Sequence, residues 1–239
     1  MTSESVDIIN AFALMTNFVI LPALSYGSQL ALGALAVTLV YSVLRFSNFA
    51  QGDSMAFGTM IVILLTGFMI QKGWTISGFP TAVLAIPVAI LGTAIYLLTM
   101  DRLVYRFYRR VKAKSITIVM ASIGVMFITG GLVRFILGVR PKTFADGERF
   151  IFSVREFKTF TGLEQGIALK TSQFLTISIA IILVAFVFYF LQKTKTGKTM
   201  RAYSDNKELA LLSGINPDKV VQITWLLVAA LTTIAGALY

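Results

Sequence analysis

The chain has 239 residues, 56% of them hydrophobic and only 13% charged, with mean hydropathy +0.81. That is about half the charge share of an ordinary soluble domain. Formal net charge is +10 and neither Cys nor His occurs, which excludes disulfides, thiolate nucleophiles, Cys/His zinc sites and imidazole proton relays. The Lys and Arg residues fall in short blocks between apolar runs, which fits loops at an anionic lipid surface better than a nucleic-acid face.

A bilayer core of about 30 Å needs roughly 20 mostly apolar residues per helical span. In chain order, apolar runs occupy Ile8–Leu24, Leu30–Phe46, Met55–Ile70, Phe79–Met100, Ile116–Leu137, Phe174–Leu191 and Val220–Tyr239. The fold class expected is therefore all-α: a polytopic membrane helical bundle with six or seven transmembrane or re-entrant helices in one transmembrane domain, residues 1–239. Glu4 and Asp7 precede the first run with no basic residue, so it lacks the positive head of a signal peptide and reads as retained. Asn10, Thr16, Asn17 and Pro22 interrupt that run, and with the short third run it is the weakest of the set.

Loop charge sets the sidedness. Arg102, Arg106, Arg109, Arg110, Lys112 and Lys114 stand against Asp101 alone between residues 101 and 114, which puts this loop in the cytoplasm. Residues 193–219, with Lys193, Lys195, Lys198, Arg201, Lys207 and Lys219, return to the same side after two spans. Residues 138–171 mix both signs and are expected to form an external loop with a small folded piece of its own. The 71–78 turn is external too. Counting backwards, 47–52 is cytoplasmic or re-entrant, and the N-terminus is inside if Ile8–Leu24 crosses fully. The last run stops at Tyr239 without a polar flank, which reads as a fragment of a longer chain.

Few residues are equipped for chemistry. Gly197-Lys198-Thr199 has the ending of a phosphate-binding loop, but Gln192 stands where the first glycine is required and the preceding segment is an apolar helix, so nucleotide binding is rejected. Ser122 lacks any histidine base and reads as a small residue for close helix contact. Arg134 at the outer end of its span either snorkels or meets a substrate. Asn48, Gln51 and Asp53 cluster between two apolar runs too closely spaced for an ordinary hydrophilic loop. They mark either a tight turn, with Asp53 on a helix N-terminus, or a broken helix lining a pathway. Ala50, Ser54 and Gly58 repeat every four residues as one small packing face. Met200–Ser213 can form a short amphipathic helix ended by Gly214 and Asn216-Pro217, either a surface connector or a docking element for a soluble partner.

These residues resemble a known family, the permease subunits of branched-chain amino acid ABC importers of the Liv type. Ala36-Val37-Thr38-Leu39-Val40-Tyr41, leading to Asn48-Phe49-Ala50-Gln51-Gly52-Asp53, looks like its early "T-x-V-Y … N-F-A-H-G-E" pattern. Gly197-Lys198-Thr199-Met200-Arg201-Ala202, then Ala210 through Gly214-Ile215-Asn216, is similar to "G-R-x-x-R-A … A-x-x-x-G-I-N". Arg102-Leu103-Val104-Tyr105-Arg106 resembles "E-R-x-x-Y-R-P", so the likeness covers nearly the whole chain. Gln51 stands where His is usual, Asp53 where Glu is, and Phe107 where Pro is common. The first change keeps hydrogen bonding and removes a titratable group.

The resemblance implies a non-enzymatic, multi-pass subunit of a bacterial inner-membrane importer that moves branched-chain or other amino acids. Urea or short-chain amides are the alternative cargo within the family, and a membrane channel or enzyme is the alternative class. The implied partners are ABC ATPase subunits, a second permease identical or related to this one, a periplasmic solute-binding protein and membrane lipid, with no nucleic acid. No cofactor or metal is bound by this chain, ATP being used by the partner subunits. Asn48, Gln51 and Asp53 would line the substrate pathway. Within the cytoplasmic coupling loop 193–219, Arg201, Ala202, Asp205, Glu208, Ala210, Gly214, Ile215 and Asn216 would form the ATPase coupling helix. Family members run on through further spans, in keeping with truncation at Tyr239.

Overall fold

The structure is a computed structural model that describes residues 10–74, 80–138, 140, 150–152 and 168–238. Among the described residues six helices are long and apolar enough to cross a membrane: α1 (Asn10–Leu44), α2 (Gln51–Gln71), α3 (Thr81–Arg110), α4 (Ser115–Leu137), α5 (Thr171–Lys193) and a last helix over Pro217–Ala237. Between α5 and the last helix lie two short ones, α6 (Lys195–Asp205) and α7 (Lys207–Leu212). The last is α8. A strand pair, β1 (Phe150–Phe152) antiparallel to β2 (Leu169–Lys170), matches Phe150 with Lys170 and Phe152 with Leu169. It lies in the 138–171 segment, for which a small folded piece was expected and most of which, with Asp146 and Glu148, lies outside the described residues. So does most of the 71–78 turn.

The first two apolar runs are one helix, which corrects the expectation of two. The polar stretch between them carries no proline, Gly27 is accommodated within the helix, and Ser28 Oγ donates to the Leu24 carbonyl at 2.7 Å, so its hydroxyl is satisfied within the helix. Pro22 cannot donate a backbone hydrogen bond. A π turn over Thr16–Ile20, closed by Leu21 N–H on the Thr16 carbonyl, precedes it and absorbs the mismatch. At 35 residues α1 is about 52 Å long, more than one bilayer core requires. Asn10 and Leu44 are therefore the opposite ends of one continuous helix.

The chain divides into two compact units. One holds α1 through Ala31, the strand pair and α5 through Ile182. In it Asn17 Oδ1 accepts the Ala168 backbone N–H at 2.8 Å. The other unit holds the remainder of α1 and α5 with α2, α3, α4, α6, α7 and α8. Its centre is α8, which buries Val220, Val221, Thr224, Trp225, Val228 and the run Leu231–Gly236. Hydroxyls there return to the preceding turn, Thr224 to Val220 O at 2.9 Å and Thr232 to Val228 O at 2.7 Å. No donor is thus left facing hydrocarbon at those positions. The small face of α2 packs here: a Cβ on Gly58 would lie 3.0 Å from Thr233 Cα, so only glycine permits this crossing.

Candidate functional site

Between α1 and α2 the chain reverses over a turn that begins at Arg45 in the left-handed region, φ 61. Asn48, buried, organises it. Its Oδ1 accepts the Ala50 backbone N–H at 3.2 Å and the Tyr105 hydroxyl at 3.0 Å, while Nδ2 donates to Gln51 Oε1 at 3.4 Å. Phe49 N–H donates to Ser122 Oγ on α4 at 3.1 Å, so Ser122 is a hydrogen-bonding joint as well as a small residue. Gln51 Nε2 is buried without a hydrogen-bond partner among the described residues, a costly arrangement unless a polar group reaches it. The segment is therefore a short helix interruption in which buried Phe46, Asn48 and Ala50 alternate with exposed Arg45, Ser47 and Phe49.

Asp53 lies in the first turn of α2, and it does not join Asn48 and Gln51. Its half-buried carboxylate faces α4, where a Cβ on Gly130 would stand 3.0 Å from Oδ1. Among the described residues it makes no hydrogen bond or ion pair. Close by, Phe57 stacks on Tyr96 at 4.1 Å, and the Tyr96 hydroxyl meets Thr129 Oγ1 at 2.5 Å. A charged oxygen pair in a three-helix junction beside an aromatic hydroxyl is suited to holding a cationic or donor group in transit. Arg134, by contrast, is exposed at the far end of α4.

A second cluster was invisible in the sequence. Asp101, counted above only as a stray charge in a basic loop, is 6% exposed and is the hub of a buried network. Arg109 donates to both its oxygens, at 2.5 and 2.9 Å, and Trp225 Nε1 donates to Oδ1 at 2.7 Å. A π turn over Asp101–Tyr105 within α3 brings these groups into register. Tyr105 lies between Phe46, 5.2 Å away, and Trp225, 5.6 Å away. The spacing of Asp101, Tyr105 and Arg109 at four residues was the available signal.

The 193–219 segment holds two helices rather than the single Met200–Ser213 helix expected. Asn206 interrupts it because its Oδ1 accepts the Glu208 and Leu209 N–H groups at 3.0 and 3.1 Å, starting α7 anew. Gly214, at φ +79, ends α7, with Ile215 N–H on Ala210 O and Gly214 N–H on Leu211 O, each at 3.0 Å. Asn216 then caps α8, accepting from Asp218 N–H at 3.0 Å. Gly214, Ile215 and Asn216 thus have a capping role of their own. Gly197, the end of the rejected phosphate loop, touches the α5 backbone, with a Cβ there meeting Leu191 Cα at 2.6 Å.

One face of this segment is anchored. Met200, Tyr203 and Ala210 are buried, Ser204 Oγ donates to Ser42 O at 2.8 Å, and an Arg45 guanidinium N–H donates to the Ser204 carbonyl. Lys207 lies 5.5 Å over the Tyr203 ring. Burial, with Arg109 and Arg45 nearby, lowers its pKa. The other face is free: Arg201, Ala202, Asp205 and Glu208 are exposed, and so are Leu209 at 61% and Leu212 at 85%. Exposed leucines beside charges on a polar connector are a docking pattern.

Comparison with known proteins follows the same lines. Residues 19–239 match the family described as branched-chain amino acid transport system, permease component. The chain belongs to this family. It is 26% identical over 220 residues to the high-affinity branched-chain amino acid transport system permease protein LivH of Salmonella typhimurium, covering 89% of this chain and 66% of that one. The Escherichia coli K12 protein of the same name is 25% identical over 218 residues, with the same coverage of 89% and 66%. The probable branched-chain amino acid transport permease protein LivH of Methanocaldococcus jannaschii is 27% identical over 219 residues, covering 90% and 64%. The chain thus spans just under two thirds of the length of these relatives. No solved structure matches it.

Proposed function

We propose that the chain is a membrane-embedded translocation subunit of an ABC importer, carrying branched-chain or other small amino acids across a cytoplasmic membrane without itself catalysing a reaction. ATP is hydrolysed by separate subunits. A second permease completes the pathway and an external binding protein delivers the solute. The basic segment 101–114, helical through Arg110 at the end of α3, and the one between α5 and α8 face the cytoplasm in this reading, with Asn10 outside and Leu44 inside.

The observation that carries this reading is the two-faced coupling segment. A connector needs only to join two spans, whereas α6 and α7 are fixed to the membrane helices through Ser42 and Arg45 and present Leu209 and Leu212 outward. Such an element transmits a partner's displacement as rigid-body movement. The displacement has an addressee, since Arg45 opens the turn whose Asn48 and Gln51 line the interruption before α2. Asp53 and Gln51 Nε2, which has no partner among the described residues, are the groups proposed to meet the solute.

The test is affinity purification of the full-length protein from its native membrane in mild detergent, with mass spectrometry of what accompanies it. Recovery of an ATP-binding subunit and a related permease supports the reading. A folded, helical protein recovered alone rejects it.

A further inference from the structure

At the end of α3 nearest the basic loop a cleft of about 680 Å³ opens between α3 and α8. Its walls include Ile95, Leu103 and Leu226, exposed at 68%, 68% and 46%. Two carboxylates reach it, and both are already neutralised: Asp101 by Arg109, and Asp218 by Arg106 at 2.5 Å. Two polar side chains in it are exposed and have no partner among the described residues, the guanidinium of Arg102 and the amide of Gln222. Gln222 lies in the second turn of α8, lining the same cleft as Arg102.

The depth is suitable for a headgroup. From Thr81 to Arg102 α3 rises about 32 Å, the thickness of a bilayer core, so Arg102 arrives at the level of the phosphates. From there Ile95, Leu91 and Val88, exposed at 68%, 64% and 55%, form an apolar track on one face of α3 leading into the bilayer. A cation and a neutral amide at the head of such a track match a phosphodiester with its acyl chain.

We infer that this cleft is a binding site for one anionic phospholipid, its phosphate held by Arg102 and Gln222 and an acyl chain lying along Ile95, Leu91 and Val88. The proposal does not depend on the transport role.

The test is native mass spectrometry of the protein after reconstitution in mixed phosphatidylcholine–phosphatidylglycerol nanodiscs and release into detergent. Wild type should retain phosphatidylglycerol in preference to phosphatidylcholine. Arg102→Gln should lower that retention about fivefold, the weight of one basic residue at an anionic surface. Arg102→Lys should keep most of it, Gln222→Leu should weaken it, and Arg134→Gln at the opposite end of α4 should leave it unchanged. Equal retention of the two lipids, or retention indifferent to both Arg102→Gln and Gln222→Leu, overturns the inference. Displacement of the lipid by inorganic phosphate with the same dependence on Arg102 would make the ligand a free phosphate, and a cross-link between two copies through position 222 would make the cleft a permease seam. Either overturns it as well.

Discussion

The Tyr105 hydroxyl donates to Asn48 Oδ1 across 3.0 Å, joining the late turn of α3 to the interruption that precedes α2. The same ring lies 5.6 Å from Trp225, whose indole N–H is held by Asp101. Three helices and the polar turn therefore share one contiguous set of contacts, and a shift of α8 cannot leave Asn48 undisturbed. In a packed interior such sets rearrange between discrete arrangements rather than deforming smoothly.

Tyr105→Phe keeps the ring between Phe46 and Trp225 and removes only the hydroxyl, leaving Asn48 Oδ1 with the Ala50 N–H. The expected cost is about 1 kcal/mol, against about 3–5 for Tyr105→Ala, which also empties the ring site. Thermal unfolding in detergent reads both. If Tyr105→Phe and Asn48→Ala prove additive in the double variant, the bond does not couple the two residues.

Asp101→Asn leaves the Arg109 guanidinium, only 17% exposed, without a counter-charge. Loss of one partner of a buried pair costs on the order of 3 kcal/mol, and removing both costs much less. Asp101→Asn should therefore lower the melting temperature strongly, and adding Arg109→Met should restore part of it. A double variant worse than the single one would mean that Arg109 stabilises the fold through contacts other than Asp101.

The sequence made most of the spans legible because lipid demands long apolar runs, and it located both motif regions. It misplaced what depends on satisfaction of polar groups inside helices. Ser25 to Gln29 looked like a break between two runs, yet α1 continues through them, with Ser28 Oγ bonding back to the Leu24 carbonyl and Gln29 Nε2 reaching the Leu238 carbonyl, and Asn206 looked like an ordinary helical position, yet its side chain caps α7. Asp101 read as loop charge because nothing in a linear pattern shows that Trp225, 124 positions away, supplies its third hydrogen bond. Asn48 and Gln51 lie side by side, while Asp53 faces a different helix because successive residues of a helix point 100° apart.

Asp53→Asn preserves shape and removes charge. Since the carboxylate makes no hydrogen bond or ion pair among the described residues, stability should fall by at most about 1 kcal/mol, the worth of a carboxylate at a helix N-terminus. Uptake of labelled amino acid by vesicles holding the assembled importer should fall well beyond that. Undiminished uptake would confine Asp53 to the helix-terminus role.

Lys207 carries a pH signature. Burial comes first and the neighbouring Arg109 and Arg45 second in lowering its folded pKa below the ordinary 10.5, while the Tyr203 ring offsets part of that cost. Below the folded pKa both states hold the proton and the folded state bears the full cost of the charge. As pH rises from there toward 10.5 the unfolded chain holds more protons, so this contribution turns in favour of folding. Lys207→Met should be more stable than wild type near about pH 8, with the difference narrowing toward about pH 10. Melting curves across that range check it; a difference independent of pH would assign the effect to packing.

The coupling segment gives the sharpest separation of fold from function. Leu212 is 85% exposed and supports nothing within the chain, whereas Ala210, two residues earlier, is 4% exposed. Leu212→Asp should leave the melting temperature within about 0.5 kcal/mol of wild type, as surface changes do, and should abolish recovery of the ATP-binding subunit. Ala210→Asp should instead destabilise the protein, because it buries a charge without a partner. The paired reversal Arg201→Glu with Glu208→Arg falls between these cases. It leaves the buried face untouched, so insertion in the membrane should be normal, while uptake should separate from ATP hydrolysis if those charges meet the ATPase. Normal coupling in that variant, together with full ATPase recovery by Leu212→Asp, would remove α6 and α7 from the interface and leave them as a connector alone.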